Sequence, residues 1–371
     1  MPAFVCTSCH SSYELNSPRW RCDCGALLDI NFTPQFDPHC LDGRKPTLWR
    51  YREAIPLPAD APIVSFDEGF TPLLQVSFSG RPVWVKQDQL FTTGSYKDRG
   101  ATVLISQAAY LGVDAVVEDS SGNAGCAVAA YCARAGISCD IYVPADNSPA
   151  KLAQITRYGA GLKPIPGSRE DTAAAVMQAA ETTFYASHSW NPFFFHGTKT
   201  WAYEVCEQLG WHAPDTVILP AGNGTLLLGA AIGFKELALM GIIQSLPRLV
   251  AVQAAGCAPL VKMFAEGLQS VPAVQREDTL AEGIAIAAPV RGTQMVAAVR
   301  ETGGFFMAVD EQEIKNSLLE MHRQGHYIEP TSAAVTAGVT RYVNQYAAAG
   351  EVIVSTFTGH GLKAAGKMAK L

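Results

Sequence analysis

The chain has 371 residues, 48% of them hydrophobic and 17% charged, with a formal net charge of −6 at pH 7. That length allows a substantial buried core in one large or two modest domains, and the composition suits a well-packed α/β protein. The acidic balance excludes a general binder of nucleic acid or anionic membrane, and the most apolar run, residues 226–234, is far too short to span a bilayer.

Residues 1–40 differ from the rest. Cys6-Thr7-Ser8-Cys9 and Cys22-Asp23-Cys24-Gly25 form two close thiol pairs, the pattern of a small metal-bound ribbon. The second pair has one spacer residue where structural zinc pairs usually have two to four. Zinc on Cys6, Cys9, Cys22 and Cys24 and a knuckle held by packing alone both remain open. Four thiolates would leave zinc no free position, so no catalysis is expected there. Cys126, Cys132, Cys139, Cys206 and Cys257 lie in apolar segments and read as reduced core residues. Met1-Pro2-Ala3-Phe4 lacks a charged-then-apolar secretory pattern, so a cytoplasmic protein is expected.

Residues 38–62, rich in proline, arginine and aromatics, read as a linker wrapping the next domain. Apolar, β-branched strands then alternate with helices. Strands are expected at 82–86, 114–117, 137–143, 162–165, 184–186, 216–219, 249–253 and 352–357. Helices are expected at 98–111, closed by Gly112, at 123–135, stopped at Gly136, and from Asn147-Ser148-Pro149 to near Gly159. Others follow at 171–182, 199–209, 226–240, 311–323 and 332–344, with a last one from about 362. Repeated β-α-β implies parallel sheets covered by helices on both faces.

Lys97 lies in Thr93-Gly94-Ser95-Tyr96-Lys97-Asp98-Arg99-Gly100, after a Gly-Ser turn and at the head of a helix. A nucleophilic lysine must be aimed, and such a turn ahead of a helix aims it. On position alone a solvated surface lysine is the commoner outcome. Ser120-Ser121-Gly122-Asn123-Ala124-Gly125 opens the next helix, where Asn123 also suits a plain N-cap. Gly222-Asn223-Gly224-Thr225-Leu226 follows an apolar strand. Its small residues let N–H groups converge on a phosphate, and the helix start adds a favourable partial charge. It is neither a Walker loop nor a dinucleotide fingerprint; an ordinary β-α turn is the alternative. Thr358-Gly359-His360-Gly361 follows the last strand. One lysine with three Gly/Asn/Thr loops at strand ends suits a Schiff-base cofactor carrying one phosphate.

In order and wording these four segments resemble the fold-type II pyridoxal-phosphate enzymes, of the tryptophan synthase β-subunit superfamily, and among them the threonine synthases. The resemblance implies two three-layer α/β/α domains with twisted, mostly parallel sheets, plus the cysteine-rich ribbon. It places the ribbon at 1–40, a large domain with the phosphate loop at 41–95 and 193–371, and a smaller domain with the substrate loop at 96–192. It implies pyridoxal 5′-phosphate joined to Lys97, met by Asn123 at its phenolic oxygen and by Thr358 at its ring nitrogen. Gly222, Asn223, Gly224, Thr225 and Leu226 would cradle its phosphate. A hydroxyl at the ring nitrogen gives a weaker electron sink than a carboxylate, which suits elimination. Ser120, Ser121, Gly122, Ala124, Ser189 and Phe194 would meet an amino-acid substrate, and His360 would be structural. The family often carries a similar cysteine module, second pair included, which supports structural zinc. A homodimer without nucleic-acid or membrane partners is expected.

Two residues depart from the threonine synthase pattern. Ala124 stands where a threonine hydroxyl usually assists the final water addition. In His188-Ser189-Trp190-Asn191-Pro192-Phe193-Phe194-Phe195-His196, Phe194 stands where an arginine normally grips the substrate phosphate. A ring cannot replace a bidentate guanidinium on a dianion. Lys199, Arg99 and His196 are the side chains that could compensate. The expected activity is a threonine synthase-like carbon–oxygen lyase or synthase, working by Cα deprotonation and β- or γ-elimination or replacement. Alternatives are a threonine/serine dehydratase-like ammonia-lyase, another β-replacing enzyme, or a non-catalytic paralogue that binds cofactor or amino acid. The intact Lys97 argues against the last.

Overall fold

The computed structural model describes residues 2–147, 149–167 and 169–368, so Ser148 of the expected helix start lies outside the described residues. In chain order the strands are β1 (Ala3–Cys6), β2 (Ser12–Glu14), β3 (Leu28–Asn31), β4 (Leu73–Phe78), β5 (Arg81–Lys86), β6 (Ala115–Glu118) and β7 (Ser138–Pro144). They continue as β8 (Gly161–Ile165), β9 (Phe184–Tyr185), β10 (Thr216–Pro220), β11 (Arg248–Ala254), β12 (Phe305–Val309) and β13 (Ile353–Thr356). The chain divides into two units, Met1–Gly69 with Lys97–Thr198, and Phe70–Tyr96 with Lys199–Leu371.

In the first unit a parallel sheet runs β8-β7-β6-β9. Helices Lys97–Tyr110, Asn123–Ala135, Pro149–Arg157, Arg169–Ala179 and Pro192–Thr198 belong to the same unit. The alanine-rich Asn123–Ala135 helix ends where Gly136 turns left-handed at φ 71°, as its sequence predicts. The cysteine ribbon is a separate antiparallel sheet, β2-β1-β3, but it is not free-standing. Phe4 meets Phe193 edge-on at 5.9 Å. Trp20 packs between Tyr185 and Trp190, and its indole N–H donates to the Ala180 carbonyl at 3.3 Å.

The two compact units divide the chain differently from the expected domain bounds. Residues 41–69 group with the lysine-bearing unit, not with 193–371. Trp49, in the stretch read as a linker, donates to Thr102 Oγ1 at 3.0 Å, and Val64, just beyond it, donates its N–H to Ser106 Oγ at 2.9 Å, clamping this part of the chain onto the Lys97–Tyr110 helix. Residues 193–198 also belong here, through the helix Pro192–Thr198 that packs on the same helix.

The second unit holds a six-stranded sheet in the order β12-β11-β10-β13-β5-β4. All its pairs are parallel except β4–β5. Every residue of β10 is buried, as a strand covered on both faces requires. Helices Glu311–Arg323 and Pro330–Gln345 bury Ile314, Leu318, Val335 and Val339 in one apolar core with Val250 and Ile353. Asp310 and Glu313 close a reciprocal capping box at the first of these helices. Sequence reasoning did not anticipate β4, β12 or the helices Pro192–Thr198, Pro259–Ala265 and Gly292–Glu301. Among the described residues no helix is long and apolar enough to cross a membrane.

Candidate active site

Three of the four segments singled out in the sequence converge within the second unit. Residues 94–96 run antiparallel to 358–360: Tyr96 N–H donates to Thr358 O at 3.0 Å, and His360 N–H donates to Gly94 O at 2.9 Å. The Tyr96 hydroxyl then reaches Thr225 Oγ1 at 2.8 Å, tying the residue that precedes Lys97 to the Gly222–Thr225 loop. Gly224 sits at φ 77° as N-cap of the helix Thr225–Leu239. A left-handed residue leading into a helix turns consecutive N–H groups toward one point, and the first helical turn leaves those donors without intrahelical acceptors. Ser95 Oγ is fully buried and has no protein hydrogen-bond partner. An orphaned buried hydroxyl, a helix start whose N–H groups suit an anion and the paired Thr358 loop together fit a phosphorylated, polar-ringed cofactor.

Thr358 is itself embedded in a network that the sequence did not reveal. Its Oγ1 donates to Glu329 Oε1 at 3.0 Å and lies 2.8 Å from Ser332 Oγ. Ser332 Oγ accepts from Thr358 N–H at 2.8 Å and from Gly359 N–H at 3.2 Å. The available signal was Glu329-Pro330, a helix-start dipeptide, which points to an N-cap and not to a site.

The first unit carries the rest. Lys97 begins the helix Lys97–Tyr110 and is half-buried. Its Nζ lies 5.8 Å from the centre of the Phe194 ring. That ring is fully buried and lies so close to Gly100 that a Cβ there would sit 2.2 Å from it. Phe194, expected to meet substrate, thus lies beneath the first turn of the lysine helix. Behind it stands His188, edge-on to Phe194 at 6.0 Å, with Nδ1 2.7 Å from Glu118 Oε1. This buried His–Glu pair also went unforeseen; the sequence places Glu118 and His188 seventy positions apart. Asn123 is the first residue of its helix, with Ala124 buried behind it and Gly122 N–H bonded to Ser120 Oγ at 3.3 Å. Ser121 and Ser189 are buried, and Ser187 Oγ organises the Ser189 turn by accepting from Ser189 N–H and Trp190 N–H. Near this turn, burial and the Asp119 carboxylate push the Tyr185 hydroxyl well above its usual pKa.

Of the three side chains that could replace the missing arginine, Lys199 is fully buried and paired with Glu236 at 2.7 Å. Burial lowers its pKa and raises that of Glu236. Arg99 is fully buried, and His196 is buried against Phe32.

In the ribbon, the sulfurs of Cys6, Cys9, Cys22 and Cys24 all lie within 4.8 Å of one another, with Cys6–Cys24 and Cys9–Cys22 each at 3.5 Å. A tetrahedral zinc with Zn–S near 2.3 Å has sulfurs about 3.8 Å apart, so the single-residue spacer does not prevent a closed four-sulfur arrangement. Ser8 and Cys9 N–H groups both point at Cys6 Sγ at 3.4 Å. Hydrogen bonding, chiefly to Ser11, draws the Cys9 thiol down to about 6.

Residues 64–359 match the family described as pyridoxal-phosphate dependent enzyme. The chain belongs to the pyridoxal-phosphate-dependent enzymes. It is 35% identical to the threonine synthase of Methanocaldococcus jannaschii, over 96% of this chain and 92% of that protein. It is 36% identical to the threonine synthase of Mycobacterium tuberculosis, over 84% of this chain and 87% of that protein. The solved structure of maize serine racemase shares the fold with a TM-score of 0.67 at 21% identity, covering 80% of this chain and 92% of that one. The protein is thus a threonine synthase-like, fold-type II enzyme that uses pyridoxal phosphate.

Proposed function

We infer that this enzyme removes the Cα proton of a serine- or threonine-like amino acid and expels or replaces a side-chain substituent that carries no phosphate. When bound, the cofactor supplies the electron sink that stabilises the negative charge left on Cα. Lys97 Nζ would hold the cofactor, and its neutral amine would take the Cα proton. N–H groups of residues 120–123, at the start of the Asn123–Ala135 helix, hold the substrate carboxylate. The Gly222–Thr225 loop and Leu226 hold the cofactor phosphate, Asn123 meets its phenolic oxygen and Thr358 its ring nitrogen. Ser120, Ser121, Gly122, Ala124 and Ser189 line the substrate.

The observation that carries the choice of substrate is the Phe194 ring, buried beside Lys97 where a threonine synthase would offer a guanidinium. Ala124 adds no hydroxyl for water delivery. Losing a bidentate charge-assisted contact costs about 2–5 kcal/mol, a hundredfold or more in binding. We therefore expect ammonia and keto-acid release from serine, threonine or an O-substituted analogue to exceed phosphate and threonine release from O-phosphohomoserine by at least about a hundredfold. A clear preference for O-phosphohomoserine in that parallel assay overturns the substrate assignment. It would favour the second reading, a true threonine synthase, which rests on 35% identity along nearly the whole chain.

Structural zinc on Cys6, Cys9, Cys22 and Cys24 belongs to the same proposal, supported by the spacing of the four sulfurs. So do a cytoplasmic location, supported by the free, buried thiols of Cys126, Cys132, Cys139, Cys206 and Cys257, and a homodimer, which rests on the resemblance; fractionation and light scattering read them.

A further inference from the structure

Glu329 is a buried carboxylate at the N-cap of the helix Pro330–Gln345, yet its side chain makes no capping hydrogen bond. It turns instead to Thr358, and its carboxyl group lies so close to Gly359 that a Cβ there would sit 2.3 Å from Glu329 Cδ. In this pair the Thr358 hydroxyl is the donor and the Glu329 carboxylate the acceptor.

The proton count follows from this. Both Ser332 lone pairs receive N–H groups, from Thr358 and Gly359, so the Ser332 hydroxyl proton is directed outward. Its nearest acceptor is Thr358 Oγ1 at 2.8 Å, while the Gly359 carbonyl is farther, at 3.4 Å. Thr358 directs its own hydroxyl hydrogen to Glu329 as a hydrogen-bond donor. One lone pair then remains on Thr358 Oγ1, and no proton. Any ligand atom placed against it must be a donor.

We propose that Glu329, acting through Thr358, makes the cofactor's ring nitrogen carry a proton, so that this threonine-type site works as a carboxylate-type electron sink. The proposal rests on the reading that Thr358 faces the ring nitrogen, and it reverses the weaker sink expected from a hydroxyl partner. The proton sits on the ring nitrogen, hydrogen-bonded to Thr358 Oγ1, and the Glu329 charge balances it through the shared hydroxyl. Glu329 is a positioning residue here, since it does not itself meet the cofactor.

The test loads full-length protein with ring-¹⁵N-labelled pyridoxal phosphate and reads the nitrogen resonance, whose position separates protonated from unprotonated pyridine. The wild type is expected at the protonated position. Glu329→Gln, which removes the negative charge, is expected to move it to the unprotonated one, and Thr358→Val to do the same by removing the acceptor. An unprotonated wild-type nitrogen overturns the proposal, as does a Glu329→Gln holoenzyme that keeps the wild-type signal. The wild-type measurement decides the matter even if neither variant folds. Borohydride reduction followed by peptide mass mapping separates the two levels of inference. A cofactor adduct on Lys97 with an unprotonated ring sinks only this proposal, whereas no adduct on Lys97 sinks the parent reading and this one together.

Discussion

At the scale of single residues, Lys97 is defined by what lies beside it. Tyr96 is fixed on one side by the Thr358 carbonyl and by Thr225, so the peptide entering Lys97 starts from a held position. On the other side, Gly100 one turn along admits the Phe194 ring beneath the lysine helix. Replacing Lys97 with alanine leaves both arrangements in place and removes only the amine. Lys97→Ala is expected to fold normally, to lose the visible absorbance of the covalently held cofactor, and to lose turnover by about 10²–10⁴-fold or more. Absorbance spectra and a coupled activity assay check this, and a variant that keeps both band and rate removes Lys97 from its role.

At the scale of elements, the start of the helix Thr225–Leu239 is tightly constrained. Gly224 is left-handed, which costs an ordinary residue roughly 1–2 kcal/mol. A Cβ there would also lie 2.2 Å from Met295 Sδ, in the helix Gly292–Glu301. Gly224→Val meets both penalties. It is expected to shift the loop, lower thermal stability by several degrees and weaken cofactor retention at least about tenfold. Calorimetry and cofactor titration read the two effects separately. Unchanged cofactor affinity in a destabilised variant would show that the loop does not hold the phosphate.

At the scale of the whole molecule, the ribbon is one wall of the lysine-bearing unit, with Phe4 on Phe193 and Trp20 on Tyr185 and Trp190. Its four sulfurs form a closed set, so a metal bound there would hold structure and do no chemistry. Freshly purified protein is expected to contain one zinc per chain by elemental analysis. Chelation should release it, speed amide exchange in residues 2–31 and lower thermal stability, while turnover at low temperature falls less than about twofold. Activity that vanishes on chelation and returns with zinc alone would assign the ribbon a larger part.

Much of this was legible in the chain itself. Strands such as β10 and helices such as Asn123–Ala135 and Glu311–Arg323 carry their own periodicity, caps and stops, which are local properties. The motif around Lys97 and the glycine loops were legible because each needs particular residues over a few consecutive positions. Tertiary structure alone decided what depends on distant partners. Nothing local in the segment 41–69 assigns it to either unit; hydrogen bonds such as those from Trp49 and Val64 to the lysine helix do. Glu329 reads as a helix start until folding brings Thr358, twenty-nine positions on, within 3.0 Å of its carboxylate. Lys199 looks available for a phosphate until Glu236 claims it in a buried pair. Sequence determines which side chains can accept, donate or carry charge. Packing decides which of them are already engaged, because burial makes an unpaired polar group too costly to leave alone.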